Sequence, residues 1–288
     1  MKTSSKNTAT LILTCPDQMG LVAAVSRFLF DYGGNILHAD QHQDEESKVF
    51  LMRIEWDLNN WILSEENFDI KFQPVASRFK MNWRLSWSTR KAKVAILVSQ
   101  FDHCLADILY RGRIGELDCE IALVISNHPG AHELTQFYRL PFHFIPIEQK
   151  DKATTENLQM ELLYKNGIDL IILARYMQIL SPKFVTAFES RIINIHHSFL
   201  PAFIGARPYH QAFAKGVKLI GATSHYVTPD LDEGPIIHQD VVQISHRDQV
   251  SDLIRKGRDL ERLVLSKAVK WHLENRIVIY DKKTIIFD

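Results

Sequence analysis

The sequence predicts an α/β protein of two units: a small β-α-β-β-α-β unit over residues 1–88, then a larger unit, residues 89–288, on a mostly parallel sheet. Three observations predict it. Apolar runs of strand length alternate with helix-length amphipathic stretches along the chain. An early strand, Lys48–Asp57, alternates apolar and polar residues, whereas Lys93–Val98 and Asp169–Ala174 are nearly continuous aliphatic runs, as strands covered on both faces require. Between the two styles lies Ser86–Lys93 (S-W-S-T-R-K-A-K), a polar, charged joint.

Thr10–Cys15 is a short apolar strand, after which Pro16-Asp17-Gln18 turns into a helix from about Met19 to Tyr32. Leu21, Val25, Phe28 and Tyr32 share one face of that helix, and Gly33-Gly34 stops it. Asp17 and Gln18 are placed to cap its N-terminus. Asn35–Gln43 and Lys48–Asp57 pair around the acidic turn Asp44-Glu45-Glu46, and Phe50, Met52, Ile54 and Trp56 point to one side. Ser64-Glu65-Glu66 opens a second helix with acids in its first turn, and Met81–Trp87 closes the unit as a strand.

In the second unit, Lys93–Val98, Glu120–Ser126, Phe142–Pro146 and Asp169–Ala174 are β-rich, with helices between them such as Glu156–Lys165. Ser181-Pro182 caps a short helix before the strand Arg191–Ile195. Thr223–Val227 and Ile236–Ile244 are later strands, Asp248–Leu273 is a long amphipathic helix, and Ile277–Tyr280 with Thr284–Phe287 forms a terminal hairpin.

Composition narrows the function. The 288 residues carry 34 basic and 34 acidic side chains, which argues against a nucleic-acid-binding surface. Cys15, Cys104 and Cys119 form no CxxC pair, so neither a disulfide framework nor a cysteine zinc site is expected. No apolar run approaches the roughly 18 residues that cross a bilayer, and Met1–Thr8 is polar, without the apolar core of a signal peptide. A reducing cytoplasm, with no membrane or nucleic-acid partner, is the expectation.

The chemistry concentrates in I-N-I-H-H-S-F-L-P at Ile193–Pro201 and L-D-E-G-P-I-I-H at Leu231–His238. On a strand Asn194 and His196 leave the same face, while Ile195 and His197 point to the other. Asp232, from a Gly/Pro-bounded loop, can close on the pair as a carboxylate. An amide, an imidazole and a carboxylate suit chemistry on a carbonyl: Asn194 and a protonated His196 hold the oxygen, and Asp232 keeps His196 charged and accepts a proton. No GxSxG elbow and no HExxH or Cys/His spacing supports a serine or zinc hydrolase, although His196, His225, His238 and Asp232 remain a conceivable cluster.

Two resemblances follow from particular residues. C-P-D-Q-M-G-L at Cys15–Leu21 with G-G-N-I at Gly33–Ile36 resembles the ACT domain. That likeness implies a ferredoxin-like regulatory unit that pairs into a homo-oligomer. It also implies an amino-acid effector such as glycine or methionine, bound near Asp17, Met19, Gly20, Leu21, Asn35 and Ile36. Asn194-Ile195-His196, Phe199-Leu200-Pro201, His225-Tyr226-Val227-Thr228 and Leu231–Pro235 are similar, in order and spacing, to the folate-dependent formyltransferase fold, a Rossmann-like domain. This second likeness implies catalytic Asn194, His196 and Asp232, with folate beside Leu173–Leu180 (L-A-R-Y-M-Q-I-L) and Thr228–Asp232. Arg175, Met177, Gln178, Leu180, His225 and Thr228 are thereby candidate substrate contacts, and no metal or separate cofactor is implied. Arg175, a charge within an apolar segment, either contacts substrate or pairs with a core acid; Arg207 either closes over the site or is a solvated surface residue.

One departure bears on the reaction. Where transferases acting on phosphorylated acceptors carry a Gly-rich loop that holds phosphate, this chain has Leu97-Val98-Ser99-Gln100-Phe101-Asp102-His103, without glycine. With Asn-x-His-His-Ser and A-F-I-G-A-R-P-Y-H-Q-A at Ala202–Ala212, almost the whole chain resembles the formyltetrahydrofolate deformylases. The resemblance implies hydrolysis of 10-formyltetrahydrofolate, with formyl transfer to an unusual amine acceptor as the alternative.

Overall fold

The computed structural model describes residues 7–147, 152–201 and 208–288. Its chain divides into two units, Met1–Lys91 with Asn275–Asp288, and Ala92–Glu274.

The first unit runs β1 (Thr8–Pro16), α1 (Leu21–Asp31), β2 (Asn35–Asp44), β3 (Val49–Asp57), α2 (Glu65–Phe79) and β4 (Asn82–Trp87). The antiparallel sheet has the order β2-β3-β1-β4. Leu11, Leu13, Met52, Ile54 and Trp56 bury one face against Val25, Phe28 and Leu29 of α1 and Phe68 and Phe72 of α2. Ser64 caps α2 by accepting from the Asn67 N–H, and Asp44 tightens the β2–β3 turn by accepting from the Glu46 and Ser47 amides, each at 3.0 Å.

α1 starts differently from the sequence expectation. Its N-cap is Gly20 in the left-handed region, φ 90°, without a side-chain cap. The helix begins two residues after Met19, and Asp17 Oδ2 instead accepts from Gln43 Nε2 at 2.6 Å.

The terminal hairpin, β12 (Ile277–Tyr280) and β13 (Lys283–Ile286), also departs from expectation. The sequence reading assigned it to residues 89–288, yet its residues group with the first unit. Val278 and Phe287 cover Ile12 and Leu51, which lie on the sheet face away from the helices. Arg53 Nε donates to the Asn275 carbonyl at 3.0 Å on that same face. This second layer explains why β1 and β3 are buried almost continuously rather than at every other residue.

The second unit comprises β5 (Ala92–Val98), α3 (His103–Ile114), β6 (Cys119–Ser126), α4 (His132–Phe137), β7 (Phe142–Phe144), α5 (Lys152–Lys165) and β8 (Leu170–Ala174). It continues through α6 (Pro182–Ala187), β9 (Ile192–His196), α7 (Pro208–Lys215), β10 (Leu219–Tyr226), β11 (Ile236–Gln243) and α8 (Val250–Leu273). Its sheet order is β11-β10-β9-β8-β5-β6-β7. β9-β8-β5-β6-β7 are parallel and β10 and β11 antiparallel. Ala95, Leu97, Leu123 and Ile125 meet Met160, Leu163, Phe184 and Phe188 in the core of one face. α8 packs along β9, β10 and β11 and against α3 and α7. No helix among the described residues is long and apolar enough to cross a membrane.

Candidate active site

A cavity of about 630 Å³ opens in the second unit where β8 and β9 end. The carboxyl end of parallel strands is where open α/β sheets place their ligands. β9 brings Asn194 and His196 to it, two residues apart on one face, while Ile193 and Ile195 anchor the strand in the interior. β10 runs antiparallel with His225 directly opposite Asn194 and Thr223 opposite His196. Across that pair Asn194 Nδ2 donates to His225 Nε2 at 3.2 Å, a polarity set by the other ring nitrogen: His225 Nδ1 is 2.9 Å from the Tyr226 carbonyl and must carry a proton to bond there.

The loop after β10 folds back so that the Tyr226 N–H donates to the Pro235 carbonyl at 2.9 Å. Gly234 permits this return, because a Cβ there would overlap the Tyr226 carbonyl oxygen. The loop delivers Asp232, at φ 57°. Its Oδ2 lies 3.2 Å from His196 Nδ1 and its Oδ1 3.6 Å from His225 Nε2. The hydrogen bond from His196, with the nearby ring of His225, holds its carboxyl well below the usual carboxylate range. A carboxylate so engaged is a weak base. With His196 Nδ1 committed to Asp232, the buried Nε2 is left without a partner among the described residues.

The opposite wall is Tyr176–Leu180. The Met177 N–H donates to Ser99 Oγ at 3.1 Å, and the Ser181 N–H donates to Glu156 Oε1 at 2.9 Å. Between them Tyr176 accepts from Gln159 Nε2 at 2.9 Å, its hydroxyl pushed up to about 12 by burial. Pinned at these points, the segment presents Met177, Gln178 and Leu180 to the cavity, with Thr228 and His225 on the facing loop and strand.

Arg175 lines the cavity and pairs with a core acid, the second of the two alternatives the sequence left open. Its Nε lies 3.3 Å from Glu261 Oε2. Glu261, 1% exposed on α8, accepts from Tyr209 at 2.6 Å and meets His103 Nε2 at 2.8 Å. Burial by itself would raise its pKa; the bond with His103, the charge of Arg175 and the bond from Tyr209 outweigh that and hold the carboxyl below its ordinary value.

Sequence reasoning missed this network, although a signal existed. Leu253, Gly257, Leu260, Glu261, Val264, Leu265 and Ala268 form the buried stripe of α8, and an acid on an apolar stripe marks a buried partner. His197 also departs from expectation. β9 ends at His196, so strand alternation no longer governs it. The ring stacks on His196 with centroids 5.1 Å apart and lines the same cavity. Burial, then the charge of Arg175 and His196, lowers its pKa to about 4. His238 sits apart from Asn194, His196 and Asp232, packed edge-on against Trp271 with centroids 5.0 Å apart, which leaves the conceived histidine cluster without it. Arg207 lies outside the described residues, as does most of the Ala202–Ala212 segment.

In the first unit a cavity of about 410 Å³ is lined by Asp17, Gly20 and Leu21 with Gln41 and Gln43. Of the other expected effector contacts, Met19 is 96% exposed and outside that lining. Asn35 and Ile36 lie at the far end of β2, opposite Asp57 and Trp56, whereas Gln43 is opposite Phe50. A single chain therefore does not gather all six.

Comparison with known proteins matches residues 92–269 to the formyl transferase family and residues 9–58 to the ACT domain. The chain is 52% identical over 280 residues to a formyltetrahydrofolate deformylase of Synechocystis sp., covering 97% of this chain and 98% of that protein. It superposes on a formyltetrahydrofolate deformylase from Pseudomonas syringae pv. tomato with a TM-score of 0.97 at 44% identity, covering 100% of this chain and 96% of that one. A glycinamide ribonucleotide transformylase from Symbiobacterium toebii matches with a TM-score of 0.66 at 33% identity, over 69% of this chain and 95% of its own.

Proposed function

The chain belongs to the formyltetrahydrofolate deformylases, and from that premise we propose that Asn194, His196 and Asp232 carry its catalysis. The enzyme hydrolyses 10-formyltetrahydrofolate to tetrahydrofolate and formate, and the folate is its substrate rather than a cofactor. Its products supply formate for purine synthesis and balance the one-carbon pool. Formyl transfer to an amine acceptor is not favoured, because the relatives matching both units are deformylases.

The observation that carries the reading is the unpartnered, buried Nε2 of His196, facing the cavity while Asp232 holds Nδ1 at 3.2 Å. That bond selects the tautomer with its proton on Nδ1, leaving the Nε2 lone pair to accept. As the oxygen of water bonds to the formyl carbon, its proton passes to Nε2. The oxyanion is met by the second N–H of Asn194, whose first is spent on His225 Nε2 at 3.2 Å. Such a donor is worth roughly 2.7–4 kcal/mol. The bond between formyl carbon and N10 then breaks as Nε2 returns the proton to N10. The formic acid formed in the cavity loses its proton to solvent before it departs, so the product is formate.

The apolar wall from Tyr176 to Leu180 and the loop at Thr228 suit the pterin ring, with Met177, Gln178 and Leu180 on one side. In the ACT unit the cavity beside Asp17 and Gly20 suits a small amino acid, glycine or methionine, and pairing of two such units forms the homo-oligomer. The reaction belongs to the cytoplasm, without a nucleic-acid or membrane partner. Formate release from 10-formyltetrahydrofolate in metal-free buffer, with and without amine acceptors, tests the reading. Formate in step with tetrahydrofolate and no acceptor supports it; turnover only with an acceptor present refutes it. Thermal shifts with glycine and methionine, compared between the wild type and Asp17→Ala, test the effector site.

A further inference from the structure

The lining of the catalytic cavity also holds groups that the mechanism above does not use: Phe101, Arg175, His197, Tyr209, Arg258 and Glu261. Arg175 stands out on three counts. It has φ 61°, a backbone region that costs free energy for any residue but glycine and that persists where surrounding structure or function demands it. Its side chain is nine-tenths buried although permanently charged. Among the described residues its carboxylate partner is Glu261, an ion pair at 3.3 Å from Nε, and both Nε and Nη1 are buried with no hydrogen-bond partner there.

Two guanidinium groups meet here beside one buried acid. Arg175 and Arg258 both lie against the ring of Phe101, at 5.7 and 5.2 Å from its centroid. Glu261 offsets one of these cations and is already engaged by Tyr209 and His103. His197, beside them, is the bridge to the reacting centre, since its ring stacks on His196. A guanidinium with buried, unsatisfied donors keeps them for a planar acceptor, and the fork geometry suits a carboxylate.

Resting on the hydrolytic reading, we infer that Arg175, anchored by Glu261, forms the binding site for the formate product. Hydrolysis begins with a neutral amide and water and ends with a carboxylate, so a new negative charge appears within this cavity at the end of each turnover. Arg175 receives it, and that interaction is specific to hydrolysis, because formyl transfer to an amine releases no carboxylate.

The test is titration of the wild-type protein with ¹³C-formate at low chloride, followed by NMR line broadening, beside Arg175→Gln and Arg175→Lys. Saturable binding with a Kd on the order of 1 mM is expected, near the ceiling for so few heavy atoms. Arg175→Gln should weaken formate at least tenfold while binding a non-hydrolysable folate analogue within about threefold of wild type. Arg175→Lys, which keeps the charge and loses the fork, should weaken formate at least threefold; it serves alone if the glutamine variant does not fold. Formate binding equal in wild type and the folded variants overturns the assignment. So does tighter Arg175-dependent binding of acetate or phosphate, which would make this a site for larger anions. Turnover of 10-formyltetrahydrofolate by the wild type is scored separately: its absence refutes the hydrolase itself, whereas turnover with Arg175-independent formate binding refutes only this inference.

Discussion

Asp232→Asn tests the orienting role proposed for this carboxylate with little change of shape. Asparagine tolerates the left-handed backbone that Asp232 adopts at φ 57°, so the loop from Val227 to Pro235 should keep its path. What changes is the bond at 3.2 Å to His196 Nδ1 and the contact at 3.6 Å to His225 Nε2. An amide has one accepting atom where the carboxylate has two, and its NH₂ facing His196 would select the opposite tautomer, with the proton on Nε2. That tautomer cannot take a proton from water. In a comparable imidazole–carboxylate pair the same exchange lowers the catalytic constant by roughly 10⁴, or about 5.5 kcal/mol. We expect a fall of about 10³–10⁴ in kcat, with affinity for a folate analogue within about threefold of wild type. Formate and tetrahydrofolate release give the rate, and titration calorimetry with the analogue gives the affinity. A kcat within tenfold of wild type would refute the tautomer argument. Parallel loss of binding and folded stability would make Asp232 a structural residue.

His196→Ala should lower kcat by about 10²–10⁴ with KM little changed, because Nε2 acts on the proton rather than on the folate; a purely KM effect would contradict this. Glu261→Gln leaves Arg175 buried without its counter-charge and should cost about 3–5 kcal/mol in denaturant unfolding, with a cost under 1 kcal/mol inconsistent with the network. Alanine for glycine inside a helix ordinarily gains up to ~1 kcal/mol, yet Gly257→Ala would drive a Cβ into the hydroxyl and ring of Tyr209 and should lose about 1–3 kcal/mol, read as a lower Tm. His197 titrates near pH 4 when folded against 6.5 for the free group. Between those values the unfolded chain binds a proton the folded one refuses, so stability falls as pH drops through this window, by up to ~3 kcal/mol. His197→Phe should flatten that part of the urea-melt profile, and an unchanged slope from pH 6.5 to 4 would place the titration elsewhere.

What the sequence determined by itself is local or strongly periodic. The 3.6-residue spacing of Leu21, Val25 and Phe28, the alternation through Phe50, Met52, Ile54 and Trp56, and the Ser181-Pro182 cap each follow from the geometry of one element, and the structure has α1, β3 and α6 there. The spacing of Asn194 and His196 on β9 is legible for the same reason, since side chains two apart on a strand share a face. Tertiary structure alone decided which distant groups meet. Strand register sets His225 opposite Asn194, and the returning loop brings the oxygens of Asp232 to 3.2 Å from His196 Nδ1 and 3.6 Å from His225 Nε2. Likewise, nothing local to the terminal hairpin says that Val278 and Phe287 cover Ile12 and Leu51 of the first unit. Glu261 looked like one more helix acid until α8 turned it inward to Tyr209, His103 and Arg175. Periodicity tells which face of an element is apolar; the partner of a buried charge depends on contacts between segments far apart in the chain, and only the packed fold specifies those.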